Sequence, residues 1–174
     1  MPQEIRLLNE SDAEGFRTLR LQSLLNDSLA WTSSYEEEIN LPIFSFSQKL
    51  RSATSSPVFG YYGVFENEKL IAYAQLSSHY YLKKAHVATL FDVLVSEKYR
   101  NKSVGSTLLK FIFVKVKSTG SIEQIELKVL STNKKAIIFY EKMGFKNVAT
   151  LPKAVKEKDG GYQDELVYIL DLKP

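Results

Sequence analysis

The stretch EKYRNKSVGSTLL, residues 97–109, divides two kinds of periodicity. Upstream of it, HVATLFDVLV (86–95) is apolar on both faces apart from Thr89 and Asp92, the pattern of a strand in the middle of a sheet. Downstream, helical spacing puts Val104, Leu108, Phe111, Ile112 and Lys115 on one side of a helix over 104–117. Between the two lie Arg100, Lys102, Ser103, Gly105, Ser106 and Thr107, all basic, small or hydroxylic. The first four amides of a helix lack intrahelical partners and carry the positive end of its dipole. Small side chains let an anion reach those amides. On this segment alone, a capped loop and an anion site are both consistent readings.

Working outward, EIRLL (4–8) reads as a strand, and Ser11 and Asp12 offer an N-cap to a helix over 12–25 carrying Phe16, Leu19, Leu21 and Leu24 or Leu25. Residues 26–42 are less regular, 44–52 suggest a second helix, and SSP at 55–57 is a break. VFGYYGVFENEKLIAYAQLSSHYY reads as two strands around a turn at 66–69, with Asn67 as its turn residue. EQIELKVL alternates, a helix over 133–142 stops at Gly144, and KNVATL and YQDELVYILDL are strands joined by a charged turn at 156–161. The order β α α β β β α β α β β predicts one α/β domain over 1–174, a mixed sheet flanked by helices on both faces.

The bulk numbers agree with one globular domain. The chain has 174 residues, 44% apolar and 25% charged, long enough to bury a core without staples. It contains no cysteine, which excludes disulfides, thiolate metal sites and a cysteine nucleophile, and fits a reducing, cytoplasmic location. The N-terminus shows no apolar run of the signal-peptide kind, and FIFVKV is broken by Lys115, so no membrane span is expected. A net charge of +3 does not argue for nucleic acid. The basic residues nevertheless cluster, at Lys98, Arg100, Lys102, Lys110, Lys134 and Lys135, apart from the acidic run Glu36-Glu37-Glu38. That distribution suits a small anionic ligand better than a polymer.

A second segment bears on the first. In STNKKAIIFYEKMGF (131–145), Asn133 can cap a helix, Ala136 and Tyr140 share a helix face, and Phe145 follows a terminating glycine. Packing and capping account for each of these on their own. Together, Arg100-Asn101-Lys102-Ser103-Val104-Gly105 and the set Asn133, Ala136, Phe139, Tyr140, Gly144 and Phe145 resemble the two motifs of the GCN5-related N-acetyltransferase (GNAT) superfamily. The order of strands and helices agrees along nearly the whole chain. Two positions depart from the family pattern: Ser103 stands where a glycine is usual, and Glu97 where many relatives have proline.

The resemblance implies an enzyme that moves an acetyl group from acetyl-CoA to a primary amine. It places the diphosphate on amides from Arg100, Asn101, Lys102, Ser103, Val104, Gly105 and Ser106. It places the pantetheine arm along Val93, Leu94 and Val95, gives Asn133 the cofactor's far arm, and makes Tyr140 the proton donor to the leaving sulfur. Many relatives have a glutamate near position 87, here Val87. ATLFDVLV is similar to the ribosomal-protein N-terminal acetyltransferases, but that glutamate is missing. Asp92 is the carboxylate left on the strand; sharing a face with Leu90 and Leu94, it is a candidate base if burial raises its pKa, or else a structural aspartate paired to an amide or a cation. The glutamates 36–38 either attract a cationic amine or form a solvated helix start, and His79 and His86 are too isolated for metal or a relay. Trp31, Tyr35, Phe44, Phe46 and Tyr162 are either acceptor-pocket lining or core, and the last strands offer an edge for a homodimer. The reading from a different class is a non-catalytic acyl-CoA sensing domain.

Overall fold

The computed structural model describes residues 3–51 and 58–173; the break read at 55–57 lies outside them. In chain order the strands are β1 (Gln3–Leu7), β2 (Gly60–Glu66), β3 (Lys69–Ser78), β4 (Val87–Val95), β5 (Gln124–Leu130), β6 (Lys146–Lys156) and β7 (Tyr162–Asp171). The helices are α1 (Ala13–Asn26), α2 (Tyr35–Glu38), α3 (Ile43–Arg51), α4 (Val104–Ser118) and α5 (Lys134–Lys142). Among the described residues the strands form one seven-stranded sheet, ordered β1-β2-β3-β4-β5-β7-β6. Every neighbouring pair is antiparallel except β4 and β5. The mixed sheet and the middle position of 86–95 were both legible in the sequence. So was the 66–69 turn, where Asn67 and Glu68 take φ of 50° and 63°.

Two cores hold the layers. On one face, Tyr62, Val64, Ala72, Ala74, Leu76, Ala88 and Leu90 pack under Leu108, Leu109 and Ile112 of α4, with Tyr140 and Phe145. On the other, Tyr61, Phe65, Tyr73 and Leu94 pack under Phe16 and Leu19 of α1 and Phe46 and Leu50 of α3. Phe16 is the hub of that second core, its ring centroid 4.7 Å from Tyr73, 5.0 Å from Tyr61 and 6.3 Å from Phe46. Burying such side chains contributes roughly 1.5–3 kcal/mol each.

Leu90 and Leu94 therefore sit in different cores, which corrects the shared face expected for Leu90, Asp92 and Leu94. The reason is a bulge. Between the pairs Tyr73↔Leu94 and Gln75↔Phe91, β4 has two residues, Asp92 and Val93, where β3 has one. Asp92 takes φ of 48° to make room. The extra residue turns the rest of β4 over, so Asp92 lies with Leu94 on the α1 face, where it meets Arg20.

Four local readings also change. The buried stripe of α4 runs through Val116 rather than Lys115, whose exposed ammonium instead lies 5.4 Å from the Phe111 ring centroid. Asp12 is the residue before α1 but makes no side-chain cap to it; the capping box lies one turn earlier, on the 3-10 turn Glu10–Asp12, where the Asn9 side chain accepts from the Ser11 amide at 2.9 Å and Asp12 accepts from the Asn9 amide at 2.9 Å. Strand β6 continues five residues beyond KNVATL, through Pro152. Pro152 is tolerated there because β6 is the sheet's edge and needs no amide on its outer side. Finally, the glutamates 36–38 do not act as one solvated run: Glu37 caps Ser34, Glu36 meets Lys158 at 3.2 Å, and Glu38 is buried.

Asp12 also holds Arg6 through two 2.7 Å bonds. Burial raises the Asp12 carboxyl, but the Arg6 and Asn9 donors outweigh it and the net displacement is downward. The pair therefore stabilises the fold above the unfolded carboxyl's range, near pH 4, and that stabilisation is lost as pH falls through the lowered folded value. Asp12→Asn is expected to cost about 1 kcal/mol at neutral pH after screening by solvent, and progressively less as pH falls below the unfolded carboxyl's value. Thermal unfolding followed by circular dichroism across that range checks both.

Candidate active site

Strands β4 and β5 pair for three residues, Val87 to Thr89 against Gln124 to Glu126. Beyond them β5 continues with β7, while β4 keeps only β3. A V-shaped opening results, bounded on one side by β4 from Leu90 to Val95. The Ser96 amide donates to Ile71 O at 2.9 Å, so it points toward β3. By the alternation of a strand, the amide and carbonyl of Val95 and of Val93 then face the opening, and Leu94 faces β3. The Val95 carbonyl is met from that side by Arg100 Nε at 3.2 Å. The open edge thus presents the Val93 and Val95 amides as donors.

The strand leads through a short 3-10 turn, Glu97–Tyr99, to the start of α4. The Thr107 amide closes the first intrahelical bond, to Ser103 O at 2.9 Å, which leaves the amides of Val104, Gly105 and Ser106 in the unpaired first turn. Gly105 sits where backbone meets side chains closely: a Cβ there would lie 3.2 Å from Val95 and 3.3 Å from Phe139. The packing of α4 against both β4 and α5 therefore depends on that glycine. Ser103, the residue that departs from the family's glycine, adopts φ of 62°. Asn101 does the same at 60°. The left-handed conformation costs a non-glycine residue roughly 1–2 kcal/mol, so Ser103 carries local strain and makes no side-chain cap of its own.

Arg100 is placed differently from a free phosphate ligand. Its guanidinium forms a bidentate pair with Asp27 at the end of α1, one bond at 3.2 Å and the other shorter, and its amide donates to Glu97 O at 3.2 Å. The pair ties the loop to α1, while Nε of the same guanidinium stays on the opening's side at the Val95 carbonyl. Lys102 is exposed, its ammonium 5.6 Å from the Tyr99 ring centroid. Asn133 caps α5, accepting from the Ala136 amide at 3.2 Å, which leaves its amide group free to donate.

Tyr140 is buried on α5 between Phe139 and Phe145, at ring-centroid distances of 5.5 and 5.8 Å. Burial pushes its phenol well above the ordinary value, and the charge of Asp92 adds to the rise. It is protonated throughout the neutral range and can give up a proton to a stronger base. Asp92 keeps about a third of its side chain exposed. Burial raises its carboxyl; Arg20 and Lys49 pull it down and Glu38 pushes it up, for a net rise. The bulge thus brings a carboxyl of raised pKa within electrostatic reach of a phenol of raised pKa, from separate elements.

Arg20 is the residue the sequence reading missed. It is 7% exposed and lies on the stripe with Phe16, Leu19, Ser23 and Leu24 that buries α1. That position in the helical repeat was the available signal. Its guanidinium bonds Glu38 (2.9 Å and two at 3.2 Å) and Ser33 (2.6 Å), stacks 4.4 Å from the Trp31 ring centroid, and meets Asp92 at 3.7 Å. Of the aromatic residues left between pocket and core, Phe46 is fully buried core and Trp31 covers Arg20, while Phe44 and Tyr162 are exposed. Among the described residues no group of histidine and carboxylate side chains could hold a metal ion, and no helix is long and apolar enough to cross a membrane.

A parallel pair that parts after three residues, with a helix N-terminus at the mouth of the gap, defines an open cleft in the middle of the sheet. The family model described as "Acetyltransferase (GNAT) domain" matches residues 5–167, and the chain belongs to that family. It is 37% identical over 70 residues to an N-alpha-acetyltransferase of Saccharolobus solfataricus, a match spanning 40% of each chain. It is 28% identical over 85 residues to the [ribosomal protein bS18]-alanine N-acetyltransferase of Salmonella typhimurium, over 49% of this chain and 56% of that one. The chain thus spans only about half or less of the curated relatives it matches. The GNAT-family acetyltransferase of Streptococcus pneumoniae superposes with a TM-score of 0.85 at 20% identity, over 98% and 99% of the two chains. The yncA protein of Salmonella typhimurium, solved with its cofactor acetyl-CoA, superposes with a TM-score of 0.83 at 15% identity, over 100% of this chain and 96% of that one. These two likenesses concern the fold.

Two substitutions test the junction. Ser103→Gly is expected to stabilise the fold by about 0.5–1 kcal/mol, since relief of the left-handed strain exceeds the entropy that glycine loses; a chemical-denaturation midpoint reads it. Gly105→Val is expected to push the first turn of α4 away from Val95 and Phe139. Calorimetric titration should then show acetyl-CoA affinity falling by about tenfold or more, equivalent to about 1.4 kcal/mol.

Proposed function

We propose that the chain transfers an acetyl group from acetyl-CoA to a primary amine within a ternary complex. The observation that carries this reading is the opening itself, with donors on the β4 edge and at the start of α4 along a single gap, and Asp92 of β4 within electrostatic reach of Tyr140 of α5. The residues fit acetyl-CoA chemically. An extended amide-bearing arm can add to the Val93–Val95 edge as a further strand, and a diphosphate can rest on the unpaired amides of Val104, Gly105 and Ser106, beside Asn101, Lys102 and the Ser103 backbone. Arg100 contributes by holding the loop to Asp27, and Asn133 through its remaining donor. When bound, acetyl-CoA supplies the activated acetyl thioester.

The chain's residues then have three tasks. Asp92 takes a proton from the acceptor ammonium, directly or through water, so that a neutral amine attacks. The Val95 amide, facing the gap, is placed to polarise the carbonyl. Tyr140 gives its proton to the sulfur as the C–S bond breaks and the C–N bond forms. The acceptor's class, a small amine or a peptide N-terminus, follows from the surface formed by α2, α3 and the β6–β7 hairpin. The N-alpha-acetyltransferase relatives favour the peptide.

Release of CoA thiol from acetyl-CoA, measured against polyamines, aminoglycosides, amino acids and short peptides, tests the reading. Acceptor-dependent release supports it. Tight acetyl-CoA binding without release for any amine would point to a sensing domain instead. Tyr140→Phe is expected to lower kcat by roughly 10²-fold or more while leaving acetyl-CoA affinity within about twofold. Asp92→Asn is expected to abolish the acidic limb of the pH profile of kcat/KM. Because the Asp92 carboxyl is raised, that limb lies above the ordinary aspartate range, near 4, with activity lost as pH falls through it.

A further inference from the structure

Among the described residues, two buried side-chain atoms lack a hydrogen-bond partner, Arg20 Nη1 and the Tyr73 hydroxyl. Both lie under the bulge of β4. Tyr73 pairs across the sheet with Leu94, two residues beyond Asp92. Arg20 Nη1 is the nitrogen that faces Asp92, 3.7 Å from Oδ1. That distance makes an ion pair without a hydrogen bond. The other two guanidinium nitrogens are taken: Nε by Glu38, and Nη2 by Glu38 and Ser33. Ser33 also donates to Glu38 at 2.9 Å, and the Trp31 ring over the guanidinium is fixed by its bond to Ser23, also at 2.9 Å.

A buried arginine needs one carboxylate for charge balance, and Glu38 supplies it. A second carboxylate at the same guanidinium has no such explanation, and it arrives only because β4 contains an extra residue. An unmet N–H inside a core is rare. Here it points at the group proposed to handle the acceptor's proton.

We propose that Arg20 is a positioning residue for the transfer reaction: anchored on Glu38 and Ser33, it holds the Asp92 carboxylate at the gap between β4 and β5 through Nη1, its one nitrogen without a hydrogen-bond partner. The proposal rests on the reading of Asp92 as the base. It makes the N-terminal helices part of the chemistry, because α1 and α2 set the charge that Asp92 feels. The groups that face Asp92 are Arg20 from α1, Glu38 from α2, Lys49 from α3, Tyr61 from β2, Tyr73 from β3 and Tyr140 from α5.

The test titrates the Asp92 carboxyl carbon by NMR in protein labelled with [13C]aspartate, the signal being assigned by its loss in Asp92→Asn. Arg20→Gln is expected to raise the Asp92 midpoint by about one pH unit or more, Glu38→Gln to lower it, and Arg20→Lys to restore part of the wild-type value. A parallel series measures kcat/KM against pH with acetyl-CoA and an alanyl peptide; its acidic limb should move with the NMR midpoint. If Arg20→Gln does not fold, the opposite displacements in Arg20→Lys and Glu38→Gln carry the test. An Asp92 midpoint that stays put in folded Arg20 and Glu38 variants overturns the proposal while leaving the base reading intact. An acidic limb that survives in Asp92→Asn sinks the base reading, and the positioning role falls with it.

Discussion

From Leu90 onward β4 keeps β3 on one side and has no strand on the other. A sheet interior is ordinarily closed to solutes because every amide in it is paired. Here the amides of Val93 and Val95 face a gap, so the middle of the molecule is the place that can accept another chain-like partner. The start of α4 depends on the same parting, since the turn after Val95 can bring a helix N-terminus to the mouth of the gap only if β5 has moved aside. Gly105 then sets how closely that terminus approaches Val95 and Phe139.

The second constraint is charge in the core under α1. Arg20, Glu38 and Asp92 place one cation between two anions in a region otherwise built of Phe16, Phe46, Tyr61 and Tyr73. Breaking a buried pair of this kind typically costs about 3–5 kcal/mol. Glu38 is held ionised despite burial: desolvation raises its carboxyl, and the Arg20 bonds more than reverse that. Asp92, with a longer contact to the same cation, goes the other way. One guanidinium thus separates two carboxyls into different protonation behaviours through a difference in distance and hydrogen bonding.

The sheet, its mixed character and the order of elements could be read from periodicity, because apolar spacing records which face of an element is buried. The helix junction at 97–109 could be read because small and hydroxylic residues at a helix start have few structural uses. What could not be read was the bulge at Asp92. Nothing in ATLFDVLV marks the extra residue: alternation counts residues, and the insertion is defined only against β3. The partnership of Arg20 with Glu38 was hidden for a similar reason, as 18 positions and a stretch of irregular chain separate them. The pairing of Arg100 with Asp27 was hidden in the same way, across 73 positions. Local pattern reports burial; it does not report which distant charge will answer a buried one.

The bulge in β4 also constrains how this chain can vary. Leu90 and Leu94 are four positions apart, which strict alternation would put on one face; the bulge puts them on opposite faces. A single deletion between Phe91 and Val93 would restore regular pairing and leave Leu94 opposite Tyr73, but it would remove the bulge that holds Asp92 against Arg20. Substitutions within the strand alter one contact each, whereas loss of the extra residue alters the backbone on which the contact between Asp92 and Arg20 is built. For this strand the inherited quantity under tightest constraint is the count of residues.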